Sequence, residues 1–245
     1  MRRVVATETL DHLAPDDPAA RRSRRDLVRV HRAMGTRGIV SRGWQALVSP
    51  ARAGGPLRIL ELGAGDGSLL LGVARALTPR WPKVQLNLMD RQDIVTPATL
   101  ASFAEVGWLA RVQAADVLAW AASPDEAMAQ SPTPRWNLIT TTLFLHHFDG
   151  VELDRLLAAA AARCDRFFAC EPSRSWWALA GSHLVGALGA NAVTREDAVL
   201  SVHAGFRGQE LSARWPQAGG PWQISESAAG PFSHCFSARR TGADQ

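Results

Sequence analysis

Leu57-Arg58-Ile59-Leu60-Glu61-Leu62-Gly63-Ala64-Gly65-Asp66-Gly67-Ser68-Leu69-Leu70-Leu71 is the stretch on which the fold turns. Its first six residues form a short apolar run that ends abruptly in glycines, the signature of a buried parallel strand closed by a tight turn. Leu69, Leu70, Leu71, Val73, Ala74 and Leu77 then repeat at helical spacing. Gly63, Gly65 and Gly67 sit in the turn, where the missing Cβ lets the chain reverse sharply and lets a ligand approach the main chain. A strand, a bare turn and a helix start make a nucleotide-sized pocket.

Outward from this stretch, strand and helix patterns alternate, which predicts a parallel, doubly wound sheet with helices on both faces. Val84 to Asp90, Arg111 to Ala114, Trp136 to Thr142 and Arg166 to Cys170 read as the second to fifth strands. Helices are expected from Thr96-Pro97 to about Gly107 and from Val151 to Arg163, the latter capped by Asp149. Trp222 to Glu226 and Phe232 to Ser237 suit a closing antiparallel pair at the sheet edge, and a further helix or two is expected before Trp215. The breakers Ala53-Gly54-Gly55-Pro56 and Ser131-Pro132-Thr133-Pro134 divide the pattern. Before the sheet, one helix ends near Gly35 and a second begins near Thr36 or Gly38. Residues 1–20 carry several acids and prolines without periodicity and read as a loosely held arm.

Glu61-Leu62-Gly63-Ala64-Gly65-Asp66-Gly67 matches E-x-G-x-G-x-G, and in it the chain resembles the class I S-adenosylmethionine-dependent methyltransferases. A dinucleotide fingerprint needs its third glycine where this chain has Ser68, which favours S-adenosylmethionine over NAD. The resemblance implies a Rossmann-like, seven-stranded, mostly parallel sheet whose last strand is antiparallel. It divides the chain into an N-terminal arm with cap helices (1–52) and a methyltransferase domain (53–240). It assigns Glu61, Gly63, Gly65 and Gly67 to the cofactor loop, Asp90 to the ribose hydroxyls, and Asp116 with the Val117 N–H to the adenine. Arg91 and Thr141 complete the implied cofactor contacts, and helices placed like the first two cap the cleft, bringing in His31, Arg32 and Arg37. On local grounds alone Asp116 is equally an N-cap for the helix after it.

After the fourth strand the chain reads Thr142-Leu143-Phe144-Leu145-His146-His147-Phe148, not the Asn/Asp-Pro-Pro-aromatic motif of base- and protein-methylating enzymes. It is similar instead to small-molecule methyltransferases acting on quinone precursors, polyketides and sugars. Methyl transfer is an in-line displacement dominated by positioning, but a hydroxyl or acidic carbon must still lose a proton. The sequence has no tyrosine, which leaves His146, His147 and Glu171 as candidate catalytic groups. The same absence removes the Tyr-x-x-x-Lys pair of an NAD(P)-dependent reductase, the competing enzyme class. A cofactor-binding fold kept as a non-catalytic interaction module is the third reading.

Trp176 to Leu188 is almost uncharged and follows the fifth strand directly. It suits the wall of an apolar substrate pocket with Trp176 or Trp177 in it; a buried core helix and a homodimer face are the competing readings. Composition narrows the class further. With 245 residues, 47% hydrophobic and a net charge of +4, the chain reads as one globular domain without a membrane span, and the start lacks a signal peptide's apolar core, so a cytoplasmic location is expected. Much of the positive excess lies in Arg21-Arg22-Ser23-Arg24-Arg25 and reads as a solvated helix end, so no nucleic-acid partner is expected. Cys164, Cys170 and Cys235 show no C-x-x-C spacing and read as core thiols, and no metal ligands are read from the sequence.

Overall fold

A computed structural model describes residues 1–48, 55–81, 83–123, 135–217 and 220–242. The breaker at 131–134, the first half of that at 53–56, the boundary between 52 and 53, and the last three residues lie outside the described residues. Helices α1 (Pro18–Met34) and α2 (Thr36–Leu47) precede β1 (Leu57–Leu62), α3 (Ser68–Leu77), β2 (Val84–Asp90), α4 (Pro97–Glu105), β3 (Trp108–Ala114) and α5 (Val117–Ala122). Then come β4 (Leu138–Thr142), α6 (Gly150–Arg163), β5 (Arg166–Pro172), α7 (Trp176–Leu184), α8 (Ala192–Ala204), β6 (Trp222–Ala229) and β7 (Ser233–Arg240).

The seven strands lie in the order β3-β2-β1-β4-β5-β7-β6. The first five pair in parallel and β7 runs antiparallel to both β5 and β6. The order reverses between β1 and β4, so the loops leaving these strands diverge and open a crevice there. One face of the sheet packs α2, α3 and α4 around Trp44, Trp81 and Trp108, three buried indoles stacked at 6.1 to 6.4 Å. The other face packs α5 and α6 with Phe167, Trp215 and Phe236. Gly35, at φ 69°, ends α1 and admits α2 at once, which only a residue free of Cβ does cheaply. Cys164 and Cys170 are buried and Cys235 partly so, all three free thiols. No helix of the described residues is long and apolar enough to cross a membrane.

Several bounds differ from the sequence reading. β3 begins at Trp108, whose indole belongs to the stack, and β5 runs on to Pro172, so Glu171 lies within the strand. Residues 208–214 make turns where a helix is expected. α1 starts at Pro18, because the Asp17 carboxylate accepts the N–H groups of Ala19 and Ala20.

The arm before α1 is the main correction, because it is pinned along its length. Arg3 pairs with Asp149 at 3.0 Å, donates to the carbonyls of Phe148 and Ala204, and stacks over Phe206. The Thr9 and Leu10 N–H groups donate to the Asp197 carboxylate at 2.8 and 3.0 Å. Absence of periodicity hides an arm held by single polar contacts.

Candidate active site

The crevice at the strand ends is a cavity of about 790 Å³, near the upper end of the roughly 300–1,000 Å³ usual for small-molecule sites. Its floor begins at the glycine turn. Gly63 and Ala64 donate to the Met89 carbonyl at 2.9 and 3.0 Å, tying the turn to β2. Gly63 has φ 75°, and a Cβ there would stand 2.2 Å from the Phe144 ring, so a side chain is excluded twice over. Gly65 faces open space, and its N–H donates to Asp90 Oδ2 at 2.8 Å. Asp90 Oδ1 accepts from Gln92 N–H at 2.9 Å, which fixes the carboxylate while leaving each oxygen a second lone pair.

Glu61, Asp66, Asp90 and Asp116 all line this part of the cavity, with Val117 and Arg91 beside them. Asp116 Oδ1 caps α5 by accepting from Leu118 and Ala119, so capping and facing the cavity coexist. Arg91 is exposed and donates to the Asp11 carbonyl. Glu61 is 2% exposed, and one of its carboxyl oxygens has no partner among the described residues. Burial, reinforced by the nearby Glu171 charge, pushes its pKa up to about 8. Of the other cofactor-loop expectations, Gly67 does not line the cavity but starts α3 at φ 73°. Thr141 is buried beneath the site, its hydroxyl donating to Glu171 at 3.3 Å.

The loop after β4 divides the cavity. Leu143 holds φ 54°, the only non-glycine residue at positive φ among the described residues, and it lines the cavity. Glu171, a candidate catalytic group in the sequence, does not line the cavity: it is fully buried and lies beneath this loop. There it accepts the N–H groups of Phe144, Leu145 and His146 and pairs with His146 Nδ1 at 2.9 Å. Its work is to hold the loop.

His146 and His147 both line the cavity, their ring centres 4.3 Å apart. His146 is 3% exposed, with Nε2 3.3 Å from Glu8 Oε1. Burial alone would lower its pKa, but the hydrogen bonds and charges of Glu171 and Glu8 carry it to about 9. His147 is more open, and its Nδ1 lies 3.3 Å from Asp11 Oδ2. Burial opposes ionisation of Glu8 and Asp11, yet the two histidines draw both carboxyls below their ordinary values. Ser201 donates a short hydrogen bond to Glu8. Glu8 and Asp11 are the residues that sequence reasoning missed. They sit at the start and within the 3-10 turn Thr9–His12, and their partners are 136 or more positions away.

The remaining wall is helical and largely apolar: Leu27, Val30 and Met34 of α1, Val185 and Leu188 after α7, and Val202 of α8. His31 belongs to it, with a pKa lowered to about 4 by burial, whereas Arg32 and Arg37 are exposed and do not line the cavity. The Trp176–Leu184 helix puts its small residues Ala178, Gly181 and Ser182 on the cavity. Trp176 and Trp177, 73% and 77% exposed, turn the other way, which overturns both the expectation that they form the pocket wall and the reading of the segment as buried core.

No family model matches the chain, and no curated protein matches it. Solved structures do match in shape. An O-methyltransferase family protein from Burkholderia thailandensis superposes with a TM-score of 0.55 at 14% identity over 95% of this chain and 62% of that one. The pyocyanin biosynthetic protein PhzM gives 0.55 at 16% identity over 95% and 60%. Magnesium protoporphyrin IX methyltransferase from Synechocystis PCC 6803, solved with S-adenosylmethionine bound, gives 0.50 at 13% identity over 95% and 88%. The chain thus spans about three fifths of the first two proteins. The likeness in shape runs over 95% of this chain, and the chain has the fold of the class I S-adenosylmethionine-dependent methyltransferases.

Proposed function

We propose that this protein transfers the methyl group of S-adenosylmethionine to a hydroxyl or acidic carbon of a small hydrophobic compound, aromatic or polyketide-like in character. The observation that carries the reading is the division of one cavity: four carboxylates at the strand ends, an apolar helical wall opposite, and two histidines on the loop between. Among the described lining residues the strand-end part has two arginines, Arg91 and Arg24, the latter donating to Gln92, and no lysine, against the four carboxylates. That charge pattern suits a ligand carrying sulfonium and ammonium groups and opposes the pyrophosphate of a dinucleotide. Glu61, with a buried oxygen lacking a partner, gains one from a cationic ligand.

S-adenosylmethionine supplies an electrophilic methyl group, so the chain's own residues bind, align and exclude water. Asp90 has lone pairs for a ribose diol, Asp116 a free oxygen for an exocyclic amine, and Val117, as the first residue of α5, an N–H without a helical acceptor. Gly63 and Gly65 keep the approach clear. His147, the more open of the two histidines, orients the acceptor and receives its proton, while His146 and Glu171 hold the loop. Calorimetry with S-adenosylmethionine, S-adenosylhomocysteine and NADPH tests the reading. Binding of the first two supports it, and binding of NADPH alone overturns it.

A further inference from the structure

We propose that Glu8, His146 and His147 bind one first-row divalent cation of the zinc class, with a coordination position left open to the cavity. The proposal goes beyond the methyl-transfer reading, since the site stands or falls on its own ligands. One ligand atom from each residue lies within 4.8 Å of the other two. Two metal–ligand bonds of about 2.1 Å place their donor atoms roughly 3.0 to 4.2 Å apart. His146 Nε2 and Glu8 Oε1, at 3.3 Å, are already inside that range, and the donor of His147, within 4.8 Å of both, reaches it by side-chain rotation.

The surroundings set the donors in the required state. Glu171 accepts three backbone N–H groups and also meets His146 Nδ1 at 2.9 Å. A carboxylate satisfied in this way acts as acceptor, so Nδ1 keeps its proton and Nε2, which faces Glu8, is the nitrogen left to exchange its proton for a metal ion. A histidine whose second nitrogen donates to a carboxylate is the common arrangement of a metal ligand. Asp11 Oδ2, 3.3 Å from His147 Nδ1, either fixes that ring's tautomer in the same manner or joins the ligand set. Nε2 and the Glu8 carboxylate, 3.3 Å apart in a place only 3% exposed, need a cation between them, which is either the ring's own proton or a metal ion. A proton engages two of the three donors. A metal ion engages all three.

Two imidazoles and a carboxylate suit zinc, cobalt, nickel or ferrous ion better than magnesium or calcium, which prefer oxygen throughout. The open position faces the cavity that both histidines line. An acceptor hydroxyl entering it exchanges its O–H bond for an O–metal bond, and the proton passes to water.

The test uses untagged full-length protein, stripped with a chelator and titrated with Zn²⁺, read by calorimetry and by elemental analysis after gel filtration. Co²⁺ serves as the spectroscopic probe of imidazole ligation. The expected result is one equivalent bound, with Glu8→Gln and His147→Ala each weakening affinity tenfold or more and the exposed-site variant His183→Ala unchanged. Glu171→Gln should weaken it by about 10- to 100-fold through the His146 ring. Less than a tenth of an equivalent on the wild type, or equal affinity in folded Glu8→Gln and His147→Ala proteins, overturns the proposal and leaves His146 as a protonated bridge. S-adenosylmethionine affinity, measured on the same samples, reports separately on the methyl-transfer reading. Zinc binding without it would retire that reading and keep the site.

Discussion

The two halves of the cavity are built by different means. At the strand ends, ligand-facing groups come from positions that the sheet delivers one by one: the turn after β1, Asp90 closing β2, and Asp116 just past β3. In the helical half the wall is assembled from α1, α7, α8 and the N-terminal arm, four segments far apart in the chain. Parallel pairing fixes the first half by register, because each strand must end beside its neighbour. The second half depends on how helices pack and on isolated polar ties, such as Ser23 with Thr194 at 2.8 Å and Asp26 with the Asn191 N–H at 2.7 Å. A scaffold of this kind can keep its cofactor and change its substrate.

The largest expected effect lies on the loop between the halves. His147→Ala should lower kcat by about 10² to 10⁴, the usual loss when a positioned proton-handling group is removed. S-adenosylmethionine affinity should stay within about twofold, because the strand-end carboxylates are untouched. Single-turnover rates and calorimetry on one preparation separate the two quantities. An equal fall in both would show that the halves do not work independently.

Next in size is a stability effect confined to the strand-end half. The Glu61 carboxyl has a folded-state pKa of about 8 against an ordinary 4.5. The fold therefore accommodates its neutral form. That contribution is complete below about pH 4.5 and is lost as pH rises toward 8. Across this window the wild type without ligand should lose several kcal/mol relative to Glu61→Gln, at a slope approaching about 1.4 kcal/mol per pH unit. Urea unfolding at pH 5, 6, 7 and 8 measures the difference, and parallel pH profiles for the two proteins would reject it.

The contrast between halves also explains what the sequence made readable. Seven strands, the antiparallel β7, the glycine turn and the acids at 90 and 116 follow from alternating patterns and local spacing; the elements appear in the expected order, with β3, β5 and β7 longer than the reading makes them. Glu8 and Asp11 do not, because a carboxylate in an aperiodic arm gives no sign of a histidine 138 or 136 positions later. Glu171 is correctly placed at the end of β5, yet its direction depends on Leu143 adopting φ 54° and turning three N–H groups inward, which no residue pattern announces. Trp176 and Trp177 show the same limit. Their apolar character is plain in the sequence, but the side of α7 they take is decided by which small residues, Ala178, Gly181 and Ser182, fit against the cavity.

Asp90 gives a smaller effect than Glu61. Asp90→Ala should weaken S-adenosylmethionine binding by about 1 to 3 kcal/mol, the scale for losing a charged acceptor. Part of that loss is indirect, since the Gly65 N–H loses the oxygen that now holds it at 2.8 Å. Asp90→Asn separates the parts: the amide oxygen can still accept from Gly65 while the charge is gone. Unchanged affinity in both folded variants would remove Asp90 from the cofactor site.

The smallest effect is expected at the two tryptophans, and it tests which face of α7 belongs to the substrate half. Trp176 and Trp177 are 73% and 77% exposed and do not line the cavity, whereas Val185, just beyond the helix, is 7% exposed and does. Truncating an exposed side chain that fills no space usually changes stability by less than about 0.5 kcal/mol. Removing two methyl groups from a cavity wall forfeits about 1 to 2 kcal/mol of apolar contact with a ligand seated there. Trp176→Ala and Trp177→Ala should therefore leave both Tm and the KM for an alkylated phenol close to wild type, while Val185→Ala raises KM several-fold at unchanged kcat, the mark of lost uniform binding. A KM that rises for the tryptophan variants and not for Val185→Ala would reverse the face assigned to the helix. The apolar ligand would then lie on the outer side of α7, and the division of the cavity into an acidic and an apolar half would no longer describe where the two ligands meet.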